Sequence, residues 1–235
     1  MEWTVHHGDT QMTNKNVYQF KSKPANNPFA PEFEYTIIEG QCFHYGECIT
    51  IAEYLLEKEQ ELLKKLESKQ SMDGNTGLGS NSITSKFPYF SVFDFDHYMG
   101  NVIRMKVLEL FEDVLTISKK KWHSHLYGQS WFNVMRKGQK INMHTHGINE
   151  DILYGFHITI STEYTSTIYH NPFDHRQVIE IPNKIGNITL FPNFLPHQTS
   201  VYNGDKTRIS IAGDLTDSMS VGKKDYGIYR DLGFV

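Results

Sequence analysis

Two cysteines, Cys42 and Cys48, in 235 residues exclude a disulfide framework and a four-cysteine zinc site. Their spacing is too loose for a redox pair, so free thiols and a reducing, cytoplasmic setting are expected. No apolar run approaches the ~18 residues that a membrane-spanning helix needs. There is no basic excess either. The 23 Lys and Arg against 27 Asp and Glu give a formal charge of −4, which argues against a polynucleotide or a membrane surface as partner. The opening stretch, Met1-Glu2-Trp3-Thr4-Val5-His6-His7, lacks a basic start and an apolar segment, so no secretory leader is expected. Internal repeats and low-complexity tracts are absent. With 39% apolar and 21% charged residues, the chain is not of disordered composition. What it has in quantity is aromatic residues, at 13%, and histidine, of which there are 12.

Residues 1–128 read as a mixed α/β region. Only one strand, around Phe33–Ile38, is suggested within residues 1–40. Thr50-Ile51-Ala52-Glu53 has the form of a capping box, predicting a helix that runs to about Lys69. Ile51, Leu55, Leu62 and Leu66 fall within an arc of about 60° at 100° per residue, which makes a buried stripe. Residues 70–86 are rich in Gly, Ser and Asn. They lack the Lys-Ser or Lys-Thr of a phosphate-binding loop, so a structural or lid loop is expected. A second helix is predicted over 101–118, with Ile103, Val107, Leu110, Phe111 and Val114 on one face.

From about residue 129 the pattern has period two. Short runs rich in Val, Ile, Thr, Phe and Tyr are separated by turn residues such as Asn171-Pro172 and Asn203-Gly204. This predicts a mainly β fold with flanking helices: a jelly-roll or cupin-like antiparallel barrel, with the N-terminal helices packed on one face. One domain is expected over 1–235. Residues 1–128 would form support and lid, 129–214 the β core with the metal site, and 215–235 a C-terminal extension.

The histidines supply the chemistry. An HxH triplet means little in so histidine-rich a chain, but surroundings distinguish His144-Thr145-His146. Two positions apart on a strand, both rings share a face. His197 follows a short apolar strand and a Pro-punctuated turn, Phe191-Pro192-Asn193-Phe194-Leu195-Pro196. Two neighbouring ligands and one distant ligand can hold a metal at a barrel mouth and leave positions open for substrate or dioxygen. Imidazole alone does not choose among iron, zinc, copper and nickel. Arg208 and Ser210 lie on one face of a later strand, and an inward arginine is costly unless paired. Guanidinium and hydroxyl together can receive a carboxylate. His123-Ser124-His125 reads as a loop, and His157 as a satisfied core residue in preference to one that lines the pocket.

These residues resemble the iron(II)/2-oxoglutarate-dependent oxygenases of phage and marine bacterial genomes, which are prolyl-hydroxylase-like. The resemblance is carried by Trp131-Phe132-Asn133-Val134, His144-Thr145-His146, Leu153-Tyr154-Gly155-Phe156-His157, the Phe-Pro-x-x-Leu-Pro-His ending at His197, and Arg208-Ile209-Ser210-Ile211. It spans residues 129–214 and implies a double-stranded β-helix. It implies Fe(II) on His144, His146 and His197, with dioxygen as co-substrate. 2-Oxoglutarate would meet Arg208 and Ser210, with Asn133 and Tyr154 as further contacts. Succinate and CO₂ would form as a C–H bond is hydroxylated, on a protein residue or a small metabolite, in a bacterial or phage-infected cell. The wider superfamily places a carboxylate where His146 stands. Either His146 is the third ligand, or a carboxylate such as Glu150 or Asp151 completes the set.

Two alternatives stay open. A cupin would bind metal through His144, His146, Glu150 and His197. It could act as an isomerase, as a dioxygenase without 2-oxoglutarate, or as a sugar-binding module, with no required role for Arg208. A non-catalytic β-sandwich with surface histidines would bind no metal.

Overall fold

The structure is a computed structural model that describes residues 2–7, 15–21, 34–146, 152–172, 174–217 and 228–235. Its strands are β1 (Glu2–His7), β2 (Lys15–Lys21), β3 (Glu34–Gln41), β4 (His125–Met135), β5 (Ile152–Ser161), β6 (Ser166–Asn171), β7 (Asp174–Pro182), β8 (Asn187–Pro192), β9 (His197–Thr199), β10 (Arg208–Asp217) and β11 (Arg230–Phe234). Two long helices, α1 (Tyr45–Lys65) and α2 (Met99–Ile117), precede β4. No helix among the described residues is long and apolar enough to cross a membrane.

Strand pairing defines the architecture. One antiparallel sheet has the order β1-β2-β3-β8-β5-β10-β4-β11, and a second has the order β7-β6-β9. His144 and His197 exchange backbone hydrogen bonds of 3.0 and 2.9 Å, which adds the 141–146 segment to the second sheet beside β9. Four strands of each sheet follow one another as β4, the 141–146 segment, β5, β6, β7, β8, β9 and β10, and the chain changes sheets at every step except the β6–β7 hairpin. That winding is a double-stranded β-helix, as expected.

Alternation along each strand divides the side chains of the large sheet. Its outer row, including Phe132 and Val134 of β4, Phe156 and Ile158 of β5, and Ile209 and Ile211 of β10, shares one apolar core with both helices. Ile51, Leu55, Leu62 and Leu66 are buried there as the helical stripe predicts, and so are Ile103, Val107, Leu110, Phe111 and Val114. The inner row, which carries Gln129, Asn133, His157, Arg208, Ser210 and Asp214 beside Trp131 and Phe191, faces the second sheet. Transfer of the outer row from water, at about 25 cal/mol per Å² of apolar surface, holds helices to sheet. It also leaves the inner row free for chemistry.

Two expectations are corrected. Helix α1 begins more than a turn before Thr50. Glu47 accepts from the His44 backbone N–H at 2.8 Å and closes the cap there, while the Thr50 hydroxyl donates to the Glu47 carbonyl inside the helix. Residues before 41 supply three strands, not one, because β3 pairs with β8, far away in sequence. The C-terminal segment continues β10 to Asp217 and returns as β11 on the edge of β4.

The glycine-rich connection is a turn built on one carboxylate. Asp73 accepts from the Thr76 hydroxyl (2.6 Å) and from the backbone N–H groups of Gly77 (2.8 Å) and Gly79 (3.2 Å). Gly77 and Gly79 have φ of 77° and 90°, a region that suits glycine. This loop forms one wall of the cavity between the sheets.

Candidate metal centre

A cavity of about 830 Å³ opens between the sheets, and His144, His146 and His197 stand in its wall. One ligand nitrogen from each lies within 4.8 Å of the others. Ring centroids are 5.3 Å apart for His144 and His146, 4.4 Å for His144 and His197, and 4.9 Å for His146 and His197. The strand pairing between His144 and His197 sets this convergence.

Hydrogen bonds fix the tautomer of every ring. The Nδ1 of His144 meets the Asn142 carbonyl at 2.8 Å, that of His197 meets the Leu195 carbonyl at 3.0 Å, and that of His146 meets the Asp214 carboxylate at 2.6 Å. These partners only accept, so each Nδ1 carries a proton. In the neutral ring each Nε2 is then a free lone pair. Burial first, and the neighbouring His146 second, push the His144 pKa down to about 4. Burial and the nearby histidines hold His197 well below its ordinary value. Three imidazoles that each offer one nitrogen to a common point fit a divalent transition metal. Trp131 and Phe191 pack on His146 at 5.8 and 5.4 Å, and Phe191 also packs on His197 at 4.6 Å, which keeps the rings in place. Gly155 is needed beside them, since a Cβ there would lie 2.8 Å from the Phe191 ring and 3.0 Å from His146 Nδ1.

Further along β10, on the same inner row, lie Arg208 and Ser210, each 2% exposed. Arg208 has no carboxylate partner among the described residues. Its Nε donates to the Thr165 hydroxyl at 3.3 Å, and Nη1 points at the Met135 sulfur, a weak acceptor, at 3.0 Å. Burial lowers its pKa to about 10. The remaining guanidinium donors face the cavity. Ser210 Oγ accepts from Asn133 Nδ2 at 3.4 Å, and Asn133 Oδ1 accepts from the Thr84 hydroxyl at 2.8 Å. That chain leaves the Ser210 proton free to donate. A buried cation beside a free hydroxyl donor, in the cavity that also holds three histidines, fits a small acid that also reaches a metal.

Of the residues singled out from sequence, His144, His146, His197, Arg208, Ser210 and Asn133 come together in this cavity. Tyr154 does not, and this is a correction. Its parity on β5 is opposite to that of Gly155 and His157, so its ring packs edge-on against Phe111 of α2 at 5.7 Å. Glu150 and Asp151 lie outside the described residues. Sequence reasoning misses Asp214 and prefers the wrong one of two readings for His157. Asp214 shares the alternate row of Arg208 and Ser210, a parity signal that the sequence does contain. His157 lines the cavity and is not a satisfied core residue, because its Nδ1 meets no partner.

No protein-family model matches the chain, and no curated protein sequence matches it. Among solved structures, the chain is similar to a viral collagen prolyl hydroxylase from Paramecium Bursaria Chlorella virus-1, solved with 2OG. The identity is 12% over 77% of this chain and 96% of that one, with a TM-score of 0.49. It is also similar to the non-heme alpha ketoglutarate dependent epimerase SnoN from nogalamycin biosynthesis, at 12% identity over 77% and 78% of the two chains (TM-score 0.49). A third likeness is to the non-heme monooxygenase ThoJ in a nickel complex, at 9% identity over 82% and 74% (TM-score 0.48).

Proposed function

We propose that this chain is an Fe(II)- and 2-oxoglutarate-dependent dioxygenase that hydroxylates a C–H bond. The observation that carries the reading is Arg208: a buried guanidinium, without an acidic partner among the described residues, in the same cavity as three converging histidines.

Each role follows from the chemistry of the side chain. His144, His146 and His197 hold Fe(II) through their Nε2 lone pairs. Asp214 orients His146 and makes it a stronger donor. Arg208 and the Ser210 hydroxyl receive the distal carboxylate of 2-oxoglutarate. Asn133 holds that hydroxyl with its proton turned outward from the amide. Trp131 and Phe191 keep water from the histidine rings. The bound iron, with 2-oxoglutarate and dioxygen, supplies oxidative decarboxylation to succinate and CO₂ coupled to oxidation of a C–H bond on a protein residue or small metabolite. Three protein ligands leave open positions for the co-substrate and dioxygen.

The cupin reading assigns nothing to Arg208, so it leaves a buried cation without a reason. The test is turnover: the wild type should form succinate from 2-oxoglutarate only when Fe(II) and oxygen are both supplied. Bound iron with no succinate from 2-oxoglutarate, alone or with a broad panel of C–H substrates, would favour the cupin.

A further inference from the structure

Strand register orders the inner row along the cavity. On β10 it runs Arg208, Ser210, Ala212 and Asp214, and their partners on β4 are Met135, Asn133, Trp131 and Gln129. At ~3.3 Å per residue, Arg208 and Asp214 stand about 20 Å apart along the strand. The Arg208 end holds donors, the guanidinium and the Ser210 hydroxyl. The other end, where Asp214 meets His146, holds acceptors.

Gln129 is 3% exposed. Its Nε2 donates to the Phe87 carbonyl at 2.7 Å, and a carbonyl only accepts, so the amide has one orientation. Its Oε1 meets no hydrogen-bond partner among the described residues. Asp214 accepts from His146 through Oδ1 and leaves Oδ2 without a partner among the described residues. Neither oxygen belongs to the side-chain atoms that are sealed off without a partner, and both residues line the cavity, so both oxygens open on it. Residues directly opposite on one face of an antiparallel pair have Cβ atoms about 4.5–5.5 Å apart, so one ligand group can reach both oxygens.

The surroundings set the charge of that group. Arg208 is the only arginine or lysine lining the cavity among the described residues, and it lies at the far end; the acids lining it are Asp73 and Asp214. An acidic or phosphorylated group therefore finds no cation beside Gln129. Phe87, Trp131 and Tyr229 line the cavity there, with the rings of Phe87 and Trp131 5.2 Å apart. A carboxylate oxygen, an amide oxygen and aromatic rings together suit a cation that carries N–H donors.

We infer that this end of the cavity binds the prime substrate through a cationic nitrogen, an ammonium or guanidinium group whose N–H donors meet Gln129 Oε1 and Asp214 Oδ2. The inference rests on the dioxygenase reading above and narrows its substrate to basic molecules or basic side chains. Gln129 is the specificity-determining residue.

The experiment measures binding to the Fe(II)- and 2-oxoglutarate-loaded protein without oxygen, by calorimetry, with succinate formation in air as a second readout. The probes are free lysine, arginine, norleucine and glutamate, and short peptides that differ only in carrying one of these four side chains. A lysine or arginine probe should bind at least about 10-fold tighter than its norleucine match, as a hydrogen bond from a charged group requires, and the glutamate probe should not bind. Binding of the free amino acid or of the peptide tells a small amine from a protein side chain. Gln129→Met removes the oxygen. It should weaken the basic probe about 10- to 100-fold and leave Fe(II) and 2-oxoglutarate affinities within about twofold of wild type. If Gln129→Met does not fold, the wild-type comparison of basic, neutral and acidic probes decides alone. Equal affinity for lysine and norleucine probes, no binding of any basic probe, or undiminished affinity in Gln129→Met overturns the inference. Binding of 2-oxoglutarate to the Fe(II)-loaded wild type in the same series leaves the proposed function standing without it. A wild type that binds Fe(II) but no 2-oxoglutarate removes both.

Discussion

Replacing Arg208 with methionine should make the ligand-free protein more stable while it destroys co-substrate binding. Arg208 is 2% exposed and carries its charge without a carboxylate beside it. Burial brings its pKa from the ordinary 12.5 to about 10. At about 1.4 kcal/mol per pKa unit, charging this group in the empty cavity costs on the order of 3 kcal/mol. Methionine fills much of the same space and removes that cost. Against it stand one long hydrogen bond to Thr165 and a contact with the Met135 sulfur, together worth about 1 kcal/mol. The net expectation is a gain of about 1–3 kcal/mol, or roughly 2–4 °C in Tm per kcal/mol for a chain of this size. Binding moves the other way. A bidentate, charge-assisted contact is worth about 1.5–3 kcal/mol per hydrogen bond, so 2-oxoglutarate affinity should fall by about 100-fold or more. Two thermal scans read both effects. Metal-free wild type should melt below metal-free Arg208→Met. In the Fe(II)-loaded, anaerobic proteins, 2-oxoglutarate should raise the wild-type Tm and leave the variant unmoved. A variant that melts lower and still responds to 2-oxoglutarate would refute the reasoning.

Two further predictions rest on other parts of the site. Asp214→Asn keeps the shape but weakens the acceptor that orients His146, so Fe(II) affinity should fall about 10- to 100-fold while far-UV circular dichroism is unchanged; unaltered affinity would leave Asp214 without a role. Burial first, then the Arg208 charge and His146, push the His157 pKa down to about 3. The unfolded chain titrates near 6.5 and takes up a proton that the folded ring refuses. Stability should therefore fall as pH drops below about 6.5, by up to about 1.4 kcal/mol per pH unit. Between pH 7 and 5, urea unfolding of the metal-free protein should show wild type losing about 2 kcal/mol more than His157→Phe; equal losses would count against a buried neutral ring.

Features of this molecule that alternate or repeat locally are legible in the order of its amino acids. The stripe from Ile51 to Leu66 and the face from Ile103 to Val114 follow from helical period alone. Likewise, strand parity puts Arg208 with Ser210. The same parity reaches Asp214, which lies beyond the Arg-x-Ser motif. Parity also rules out Tyr154, because Gly155 and His157 take the inner face of β5 and leave Tyr154 to the helices. His157 escapes a local reading for a different reason. Whether a buried imidazole is satisfied depends on Tyr169 and Ala212, which reach it from other strands. Distance in sequence hides the N-terminal strands too. Glu39 on β3 meets Asn187 on β8, 148 positions later, and no local pattern announces that pairing. At the start of α1, two spacings offer a cap, and Glu47 closes the earlier one.

The most direct test of the central claim is an anaerobic titration of the purified protein, first with Fe(II) and then with 2-oxoglutarate, followed in the visible region. A metal-to-ligand charge-transfer band should grow with 2-oxoglutarate in wild type and be lost in His197→Ala, which also loses its iron. A wild type that binds no iron, or a His197→Ala protein with full metal content and an unchanged band, would contradict the assignment of this cavity as an iron and 2-oxoglutarate site.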